Sequence, residues 1–458
     1  MGGKRLVVIG GTAAGLSAAS KAKRLDGSFE VTVFERGGYV SYGSCGLPYF
    51  VGGMIREADD LVSLTAEELR SKRGFRVHTH TEVVRIDRAR KLVEAKDLEN
   101  GGTFDAPYDA LVIATGSRPI IPPIVGMESR GVFTVRSVED GIAIRDRAGK
   151  ARAACVIGGG VIGLEMAEQL ALRGLKVTIF EALDRLLPAF PEEHSRLVAD
   201  HLALKGVDLH LSRSVAAIRS EGGEVVGVTA DDGSTVSCDM VIVAVGVRPE
   251  SGLAEAAGLE LGLRSAIVVD ERQRTSDPHI WACGDCAQMR HLITGKPVYL
   301  PLGTTANKTG RVAGGVIGGE DDRFEGVLGS MVTKVFDLYI ASTGLSLQQA
   351  LAEGYAAEQQ TVIKGDRASY YPGSRDAHVN LVVDTADGRL LGAQGIGGET
   401  IAGRINVLVA AVTMGMTVSR LGELDLLYTP SVAPVYDPLL IAASQAMKLV
   451  RRRHGRAS

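Results

Sequence analysis

Two segments of the chain share one pattern: an apolar run, a glycine-rich turn, a helix-forming stretch and a second apolar run closed by glutamate. The first begins with KRLVVI at Lys4–Ile9, continues through GGTAAG and ends with EVTVFE at Glu35. The second is AACVIGGGVIGLEMAEQLALRGLKVTIFE, which ends at Glu181. Such a βαβ unit directs helix N–H groups at a pyrophosphate and its closing acid at a ribose diol. Two units predict an α/β chain that binds two different dinucleotides.

The two glycine turns differ in completeness. The second carries Gly158, Gly160 and Gly163 in full register, and Glu181 follows Gly163 by 18 residues, where a ribose-binding acid belongs. In the first, Thr12 replaces the middle glycine, so this motif alone leaves open a strand–helix turn without a ligand.

Composition excludes several classes of protein. The 458 residues predict two to four domains, and a net charge of −3 without a long internal basic run argues against nucleic-acid binding. Five widely spread cysteines indicate a reducing cytoplasm rather than a disulfide framework, and no apolar stretch is long enough to span a membrane. The histidines lack partners at ligand spacing, so we expect no metal site. The basic residues within 448–458 are expected to form a frayed, solvated tail.

Three further segments carry a family resemblance. YDALVIATGSRP (Tyr108–Pro119) and DMVIVAVGVRPE (Asp239–Glu250) end strands with small residues, and HIWACGDCA (His279–Ala287) places Asp285 directly after a strand. With the two βαβ units, they resemble a flavin-dependent pyridine nucleotide–disulfide oxidoreductase from about residue 4 to about residue 446. The resemblance implies that the first unit binds FAD and that the second, inserted, unit binds NAD(P)H. Cys283 and Cys286 form a C-x-x-C, and we interpret them as flanking the FAD-binding Gly-Asp rather than as a redox pair.

The resemblance also implies the architecture. We expect two Rossmann-like dinucleotide-binding domains and an α+β C-terminal dimerisation domain, which begins near Phe324 where strands alternate with hairpin turns and continues through helices at about Glu399–Met414 and Val435–Met447. The expected limits are 1–120 with 265–323 for the FAD-binding domain, 121–264 for the NAD(P)H-binding domain, 324–447 for the dimerisation domain and 448–458 for the basic tail. The enzyme would then be a homodimer whose active site is shared between its chains.

Cofactor contacts follow residue by residue from the resemblance. For the two nucleotides together it implies Gly10, Ala13, Ala14, Gly15, Glu35, Arg36, Val83, Ala114, Thr115, Gly116, Asp285, Gly158, Gly160, Ile162, Gly163, Glu165, Glu181 and Gly246. Glu165 corresponds to a glutamate near the reactive face of the flavin. An acid at Glu181 favours NADH because a 2′-phosphate would meet like charge, whereas Arg185 nearby leaves NADPH open.

The segment SYGSCGLPYF contains a lone cysteine, Cys45. In the dithiol branch of the family a second cysteine follows, but here Phe50 occupies its position, and Leu424–Ser444 lacks the branch's C-terminal histidine. The chain therefore resembles the single-cysteine branch of coenzyme A disulfide reductases, CoA-persulfide and polysulfide reductases, NADH oxidases and NADH peroxidases. The turn through Thr12 lacks the histidine of the peroxidases, which disfavours peroxidase chemistry.

Because Cys45 has no second protein cysteine beside it, the sulfur to which it bonds must belong to a small molecule. We expect Cys45 to form a mixed disulfide with CoA and its thiol, at a helix start beside an electron-poor flavin, to have a depressed pKa. Tyr428 and Tyr370 match tyrosines that relatives contribute from the partner subunit as proton donors; Tyr371 is an alternative to Tyr370, and packing at the interface is another role for Tyr370. The expected CoA contacts are Arg24, Ser41, Ser44, Asn307 and Arg311.

The sequence leaves the sulfur substrate open among CoA disulfide, CoA persulfide and polysulfide. Two other functions stay possible at this stage. One is an NADH oxidase that reduces oxygen, and the other is an electron-transfer flavoprotein that serves a protein partner, with Cys45 incidental or merely structural.

Overall fold

The structure is a computed structural model that describes residues 3–456, with side chains as far as Arg453. The chain begins with alternating strands and helices. These are β1 Arg5–Ile9, α1 Ala13–Leu25, β2 Glu30–Phe34, α2 Leu47–Gly52, α3 Ala66–Arg73, β3 Arg76–His78, β4 Thr81–Asp87, β5 Leu92–Asp97, β6 Thr103–Pro107, β7 Ala110–Ile113 and β8 Ser117–Pro119.

A second group of elements repeats this alternation. It comprises β9 Val132–Thr134, α4 Val138–Ala148, β10 Ala153–Ile157, α5 Val161–Leu172, β11 Lys176–Glu181, α6 Glu192–Leu204, β12 Asp208–Leu211, β13 Val215–Glu221, β14 Glu224–Ala230, β15 Thr235–Val236, β16 Met240–Val243, β17 Val247–Pro249 and α7 Gly252–Ala256.

The remainder of the described chain contains long antiparallel strands and helices. The elements are β18 Ile280–Ala282, β19 Met289–Arg290, β20 Pro297–Val298, α8 Gly303–Ile317, β21 Met331–Val335, β22 Leu338–Gly344, α9 Leu347–Ala352, β23 Ala357–Gly365, β24 Asp376–Asp384, β25 Leu390–Gly397, α10 Thr400–Thr413, α11 Val418–Gly422 and α12 Pro438–Arg456.

The first parallel sheet has the strand order β18-β7-β1-β2-β3. Its apolar runs are buried because α1 and α8 cover one face and a core around Tyr108 and Ile113 fills the other. Between β7 and β18 the chain leaves this sheet, builds the second group of elements and returns. The antiparallel pair of β8 with β17 marks where it leaves and comes back.

The second parallel sheet has the order β12-β11-β10-β16-β9. In both sheets the strand before the glycine turn is central, and the next strand of the βαβ unit pairs with it in parallel. β1 pairs with β2, with Arg5 opposite Glu30, and β10 pairs with β11, with Ala153 opposite Lys176. The α/β fold with two Rossmann-like units, predicted from the two motifs, is therefore confirmed.

The third large sheet is antiparallel, with the order β21-β22-β25-β24-β23. One face carries a core with α10 and α12, while Val335, Ile340 and Ile396 on the other pack into the core of the second parallel sheet. This contact places β21 against α5.

The C-terminal helix differs from the sequence expectation. Residues from 448 onward, expected as a frayed tail, continue α12 as far as Arg456, because Leu449 is still buried and Val450 packs against the core of the third sheet. Residues 457–458 lie outside the described part of the chain. Within that part, no helix combines the length and apolar character needed to cross a bilayer.

Candidate functional site

The first glycine turn is fixed by close backbone approach. Gly10 has a φ of +108°, and a Cβ there would lie 2.1 Å from the Ala114 carbonyl oxygen. A Cβ on Gly15 would lie 2.0 Å from the Gly10 carbonyl oxygen. Only glycine fits both positions. The turn therefore presents the first N–H groups of α1, around Ala13 and Ala14, at the carboxyl edge of the sheet.

The second turn repeats the same geometry. Gly158 has a φ of +109°, and a Cβ on Gly163 would lie 2.0 Å from the Gly158 carbonyl oxygen. A Cβ on Gly160 would meet nothing within 4 Å, so this glycine faces open space where a ligand's pyrophosphate can approach the backbone. Thr12, its counterpart in the first turn, precedes α1 without a capping hydrogen bond from its side chain.

The two closing glutamates bind the turns in the same way. Glu35 accepts hydrogen bonds from Gly11 N at 2.8 Å and Gly37 N at 3.0 Å. Glu181 accepts them from Gly159 N at 2.7 Å and Leu183 N at 2.8 Å. Each carboxylate is thus held at the edge of its sheet, with lone pairs left for a ribose diol.

Two further strand ends complete the edge of the first sheet. Ala114, Thr115 and Gly116 follow β7, and Asp285 follows β18. Asp285 accepts a hydrogen bond from Ser117 Oγ at 3.2 Å, and burial raises the pKa of its carboxyl while Arg136 opposes the rise. Because parallel strands end together, these groups meet Gly10 and Glu35 at one edge.

Cys45 is the exposed member of the five cysteines, and the other four are buried. It lies in a single 3-10 turn, Ser44–Gly46, that leads directly into α2. Phe50, at the position of the absent second cysteine, is buried beneath the Arg145 guanidinium, which lies 4.7 Å from its ring centroid.

The loop that carries Cys45 is joined to the first glycine turn. Ser41, with a φ of +52°, donates its N–H to the Gly11 carbonyl at 2.8 Å, and Gly43 N donates to the Leu61 carbonyl at 2.9 Å. The bond from Ser41 to Gly11 therefore holds the loop that carries the thiol beside the edge of the first sheet.

The thiol's environment corrects one sequence expectation. Although part of the Cys45 side chain is exposed, partial burial of the thiol raises its pKa, and the negative charges of Glu165 and Asp285 raise it further, against a hydrogen bond from Ser44. The expected depression of this pKa does not arise from the protein's own groups, because burial and two carboxylates outweigh the hydrogen bond from Ser44; the contribution expected from the flavin stays a prediction. Glu165 from α5 and Asp285 from the turn after β18 thus both act on one thiol.

Comparison with known proteins decides what this arrangement belongs to. Residues 4–310 match the model of the pyridine nucleotide-disulphide oxidoreductases, and residues 331–438 match the dimerisation domain of the same enzymes. The chain belongs to the pyridine nucleotide-disulphide oxidoreductase family. The family predicted from the sequence is confirmed, and the chain is an oxidoreductase with FAD and a pyridine nucleotide as cofactors.

Individual relatives match over nearly their whole length. The chain is 39% identical over 443 residues to a NAD(P)H coenzyme A polysulfide/persulfide reductase of Pyrococcus horikoshii, covering 96% of this chain and 98% of that one. It is 36% identical to a NADH oxidase of Methanocaldococcus jannaschii, covering 97% and 99%. A solved NAD-dependent persulfide reductase from A. fulgidus superposes with a TM-score of 0.94 at 42% identity, covering 98% of this chain and 84% of that one.

The residues at the first edge fit FAD. Gly10 to Gly15 provide the open helix N-terminus for a pyrophosphate, Glu35 an acceptor for the adenosine ribose, and Asp285 a half-buried carboxyl with one side-chain partner. The second edge fits the pyridine nucleotide with Gly158 to Gly163 and Glu181. These assignments remain predictions, made from the character of the groups that the fold collects.

Four other predicted cofactor residues lie at the margins of these edges. Arg36 is exposed and pairs with Glu82 at 3.7 Å, Ile162 is exposed in the first turn of α5, and Gly246 has a φ of +112° after β16. The side chain of Val83 is buried in the core, which leaves only its main chain for a ligand.

The predicted CoA residues form two groups. Arg24 on α1 and Asn307 and Arg311 on α8 are exposed on two helices whose glycine and alanine faces pack closely, and Ser17 Oγ donates to Asn307 Oδ1 at 2.8 Å. The other group, Ser41 and Ser44, lies on the loop that carries the thiol, and Ser44 hydrogen-bonds it. Lys21, a nearby cation, is paired with Glu320 at 2.6 Å.

The two predicted proton donors lie together. A hydrogen bond with Tyr370 raises the pKa of Tyr428, and both side chains are exposed, as is that of the alternative, Tyr371. The groups of the same protomer that shift the Cys45 pKa are Glu165, Asp285 and Ser44, and neither tyrosine is among them.

Sequence reasoning missed four residues beside the thiol and the flavin edge. Tyr49, Glu168 and Lys334 form a cluster around Glu165, and Arg136 donates to the Ser117 carbonyl at 2.7 Å beside Asp285. The spacing of Tyr49 one helical turn after Cys45 is the single signal that the sequence offers for any of them.

Proposed function

We propose that the chain is a NAD(P)H-dependent reductase of CoA persulfides, CoA disulfides or polysulfides that uses Cys45 as its single redox thiol. The observation that carries the proposal is the solitary exposed thiol: the other four cysteines are buried, and Phe50 fills the place of an internal partner. The names of the Pyrococcus horikoshii and A. fulgidus relatives support the same chemistry.

The electron balance requires one external sulfur. FAD, when bound, supplies the path by which the electron pair of NAD(P)H reaches sulfur. The pair cleaves the S–S bond of a Cys45–CoA mixed disulfide into two thiolates, and the CoA thiolate takes up one proton. The Cys45 thiolate then attacks the next CoA-linked disulfide or persulfide, which reforms the mixed disulfide and releases the other sulfur.

Proton supply is the part we assign to a second chain. Tyr428 and Tyr370 of the partner subunit would donate to the departing thiolate, since a phenol stays protonated at neutral pH. The exposed apolar side chains around them support a homodimer with a shared site. They include Leu427, Val432, Val435 and Tyr436, and Leu427 is 93% exposed.

CoA binding and nucleotide choice follow from charge. Arg24 and Arg311 would neutralise the phosphates of CoA, with Asn307 one turn before Arg311 on α8 and Ser41 and Ser44 near the thiol end. Glu181 would favour NADH over NADPH, because its carboxylate, held by Gly159 N, meets a 2′-phosphate with like charge. A redox cycle that depends on a free thiol needs a reducing compartment, so we propose that the enzyme acts in the cytoplasm.

The test compares Cys45→Ser with Cys238→Ser, which alters a buried thiol. In the Cys45 variant, NADH should still bleach the flavin absorbance, while turnover of CoA disulfide and CoA persulfide falls to the rate without enzyme. The Cys238 variant should keep both. If the Cys45 variant retained turnover of CoA disulfide or CoA persulfide, that result would contradict the proposal.

A second candidate is an NADH oxidase, which the name of the Methanocaldococcus jannaschii relative supports. Oxygen consumption measured beside persulfide reduction separates the two. Oxygen reduction at a comparable kcat/KM would favour the oxidase, and a much slower rate would favour the reductase.

A further inference from the structure

Thr333 is a polar side chain in an apolar row. It lies on β21 between Met331 and Val335, which share its face of the strand and pack against the core of the second parallel sheet. Thr333 is only 4% exposed. A buried hydroxyl needs a hydrogen-bond partner, because leaving it unpaired costs free energy that a valine of similar shape would not cost. The threonine at this position therefore draws attention to the group that it contacts.

That group is a carboxylate. Thr333 Oγ1 donates to Glu165 Oε1 at 3.1 Å, and within residues 3–453 this is the one hydrogen bond that the structure gives to either side chain. Glu165 is half-buried on α5, two residues after Gly163 of the second glycine turn. Thr333 belongs to the segment that matches the dimerisation domain, and Glu165 does not. The bond therefore joins two separate parts of the chain.

The strand that carries Thr333 is fixed against α5 by a second acid. Glu168, one helical turn after Glu165, is paired with Lys334 and accepts from Phe336 N at 2.8 Å. Glu168 is nearly fully buried, so separating it from its cation would be costly. The position of the Thr333 hydroxyl is thus set by the packing of β21 on α5 and does not depend on its own hydrogen bond.

Titratable groups face Glu165 from the elements packed around it. They are Glu168 on α5 itself, Lys334 on β21, Cys45 before α2 and Tyr49 on α2. Burial raises the pKa of the Glu165 carboxyl, and the hydrogen bond from Thr333 opposes that rise. Lys334 also favours the ionised carboxylate, but its ammonium is committed to Glu168. Thr333 is therefore the donor in direct contact with Glu165.

We propose that Thr333 is a positioning residue of the redox site: its hydroxyl holds the Glu165 carboxylate in one orientation and in its ionised form. Thr333 transfers no proton and touches no reacting atom, so it acts only through Glu165. A residue of the dimerisation segment thereby controls a charge on the helix that follows the second glycine turn.

The thiol segment packs against the same helix. Cys45 directly precedes α2, and a Cβ on Gly52 at the end of α2 would lie 2.0 Å from Gln169 Oε1 on α5. The charge of Glu165 accordingly raises the pKa of the Cys45 thiol. The inference thus deepens the proposed function, because the charge that Thr333 controls affects disulfide reduction only if Cys45 is the redox thiol.

The experiment titrates Glu165 in the holoenzyme by infrared difference spectroscopy. The band of its protonated carboxyl is the one that Glu165→Gln lacks. Thr333→Val replaces the hydroxyl by a methyl group and should raise the midpoint of that band by about one pH unit, as loss of a hydrogen bond to a charged group does. Thr333→Ser keeps the donor and should restore the native midpoint. An unchanged midpoint in the valine variant, or an equally raised one in the serine variant, overturns the inference.

A matched control separates this bond from a general loosening of the third sheet. Thr343→Val removes a fully buried hydroxyl from the neighbouring strand β22, where Thr343 Oγ1 lies 2.8 Å from Ser330 Oγ. This variant should keep the native midpoint of Glu165, and a rise equal to that of Thr333→Val would contradict the direct role of the hydroxyl. Thr333→Ala should give the same rise as Thr333→Val and replaces it in the test if the valine variant does not fold.

A double-mutant cycle on the rate of Cys45 alkylation by iodoacetamide measures the effect on the thiol. Between the native and the raised midpoint, Thr333→Val should be alkylated faster than the native enzyme, because a neutral acid no longer opposes the thiolate. In the Glu165→Gln background the same substitution should leave the alkylation profile unchanged, and a change there contradicts the inference.

Neither measurement uses a disulfide substrate. Disulfide turnover retained by Cys45→Ser would therefore remove the proposed function, whereas an unchanged midpoint of Glu165 in Thr333→Val would remove only the role of Thr333.

Discussion

Glu35 and Glu181 occupy equivalent positions in the two parallel sheets. Each carboxylate accepts a hydrogen bond from the N–H one residue after the first glycine of its turn, at 2.8 Å from Gly11 and 2.7 Å from Gly159. The same local geometry is thus built twice, and the two acids can be changed independently.

We expect Glu181→Gln to raise the KM for NADH roughly tenfold, because a charge-assisted hydrogen bond to the ribose diol becomes a neutral one. FAD content should not change, and the ratio of kcat/KM for NADPH over NADH should increase. Glu35→Gln is the mirror control, with weaker FAD retention and no change in nucleotide preference. An equal effect of both variants on FAD would contradict the assignment.

Helix α8 allows a matched pair of glycine substitutions. A Cβ on Gly310 would lie 2.2 Å from the Ala14 carbonyl oxygen, whereas one on Gly303 meets nothing within 4 Å. Gly310→Ala should destabilise the protein by about 1–3 kcal/mol and weaken FAD retention by pushing α1 away. Gly303→Ala should be neutral or slightly stabilising. Thermal unfolding with flavin fluorescence measures both effects, and equal stability of the two variants would show that the helices can separate freely.

The buried pair of Glu168 and Lys334 supports a stability prediction. Lys334→Met leaves the Glu168 carboxylate without its cation and should lower the free energy of unfolding by about 3 kcal/mol. Adding Glu168→Gln should recover part of the loss, because no unpaired charge remains. Denaturant titration of the holoenzyme checks this, and a double variant less stable than the single one would contradict the electrostatic cause.

Glu165 supports a prediction about pH. Its carboxylate raises the pKa of Cys45, so Glu165→Gln should lower that pKa and speed iodoacetamide alkylation of Cys45 below the thiol pKa. Burial also raises the pKa of Glu165 itself, so in the native enzyme the thiol pKa should fall as the pH drops through this raised value and Glu165 takes up its proton. Slower alkylation in the Gln variant would reverse the sign and refute this account.

The parts of the site that the sequence predicted are local. The glycine turns and their closing acids are specified by spacing within single βαβ units, so Gly10, Glu35, Gly158 and Glu181 lie at the sheet edges as expected. The limits proposed for the domains and the ligand contacts of individual residues stay predictions.

The parts of the site that the sequence did not predict depend on contacts between segments that are far apart in the chain. Lys334 reaches Tyr49 and Glu168 only because the third sheet packs on α5, and no pattern in the sequence reveals that contact. The direction of the Cys45 pKa shift was missed for the same reason, since Glu165 and Asp285 come from elements far along the chain.

The central claim is that Cys45 bonds to a sulfur of CoA rather than to a protein sulfur. Intact-mass analysis of the enzyme purified without reductant tests it most directly. The account predicts an adduct of the mass of CoA, located on the Cys45 peptide, released by dithiothreitol and absent from Cys45→Ser. An unmodified Cys45, or a disulfide between Cys45 and another cysteine of the chain, would contradict it.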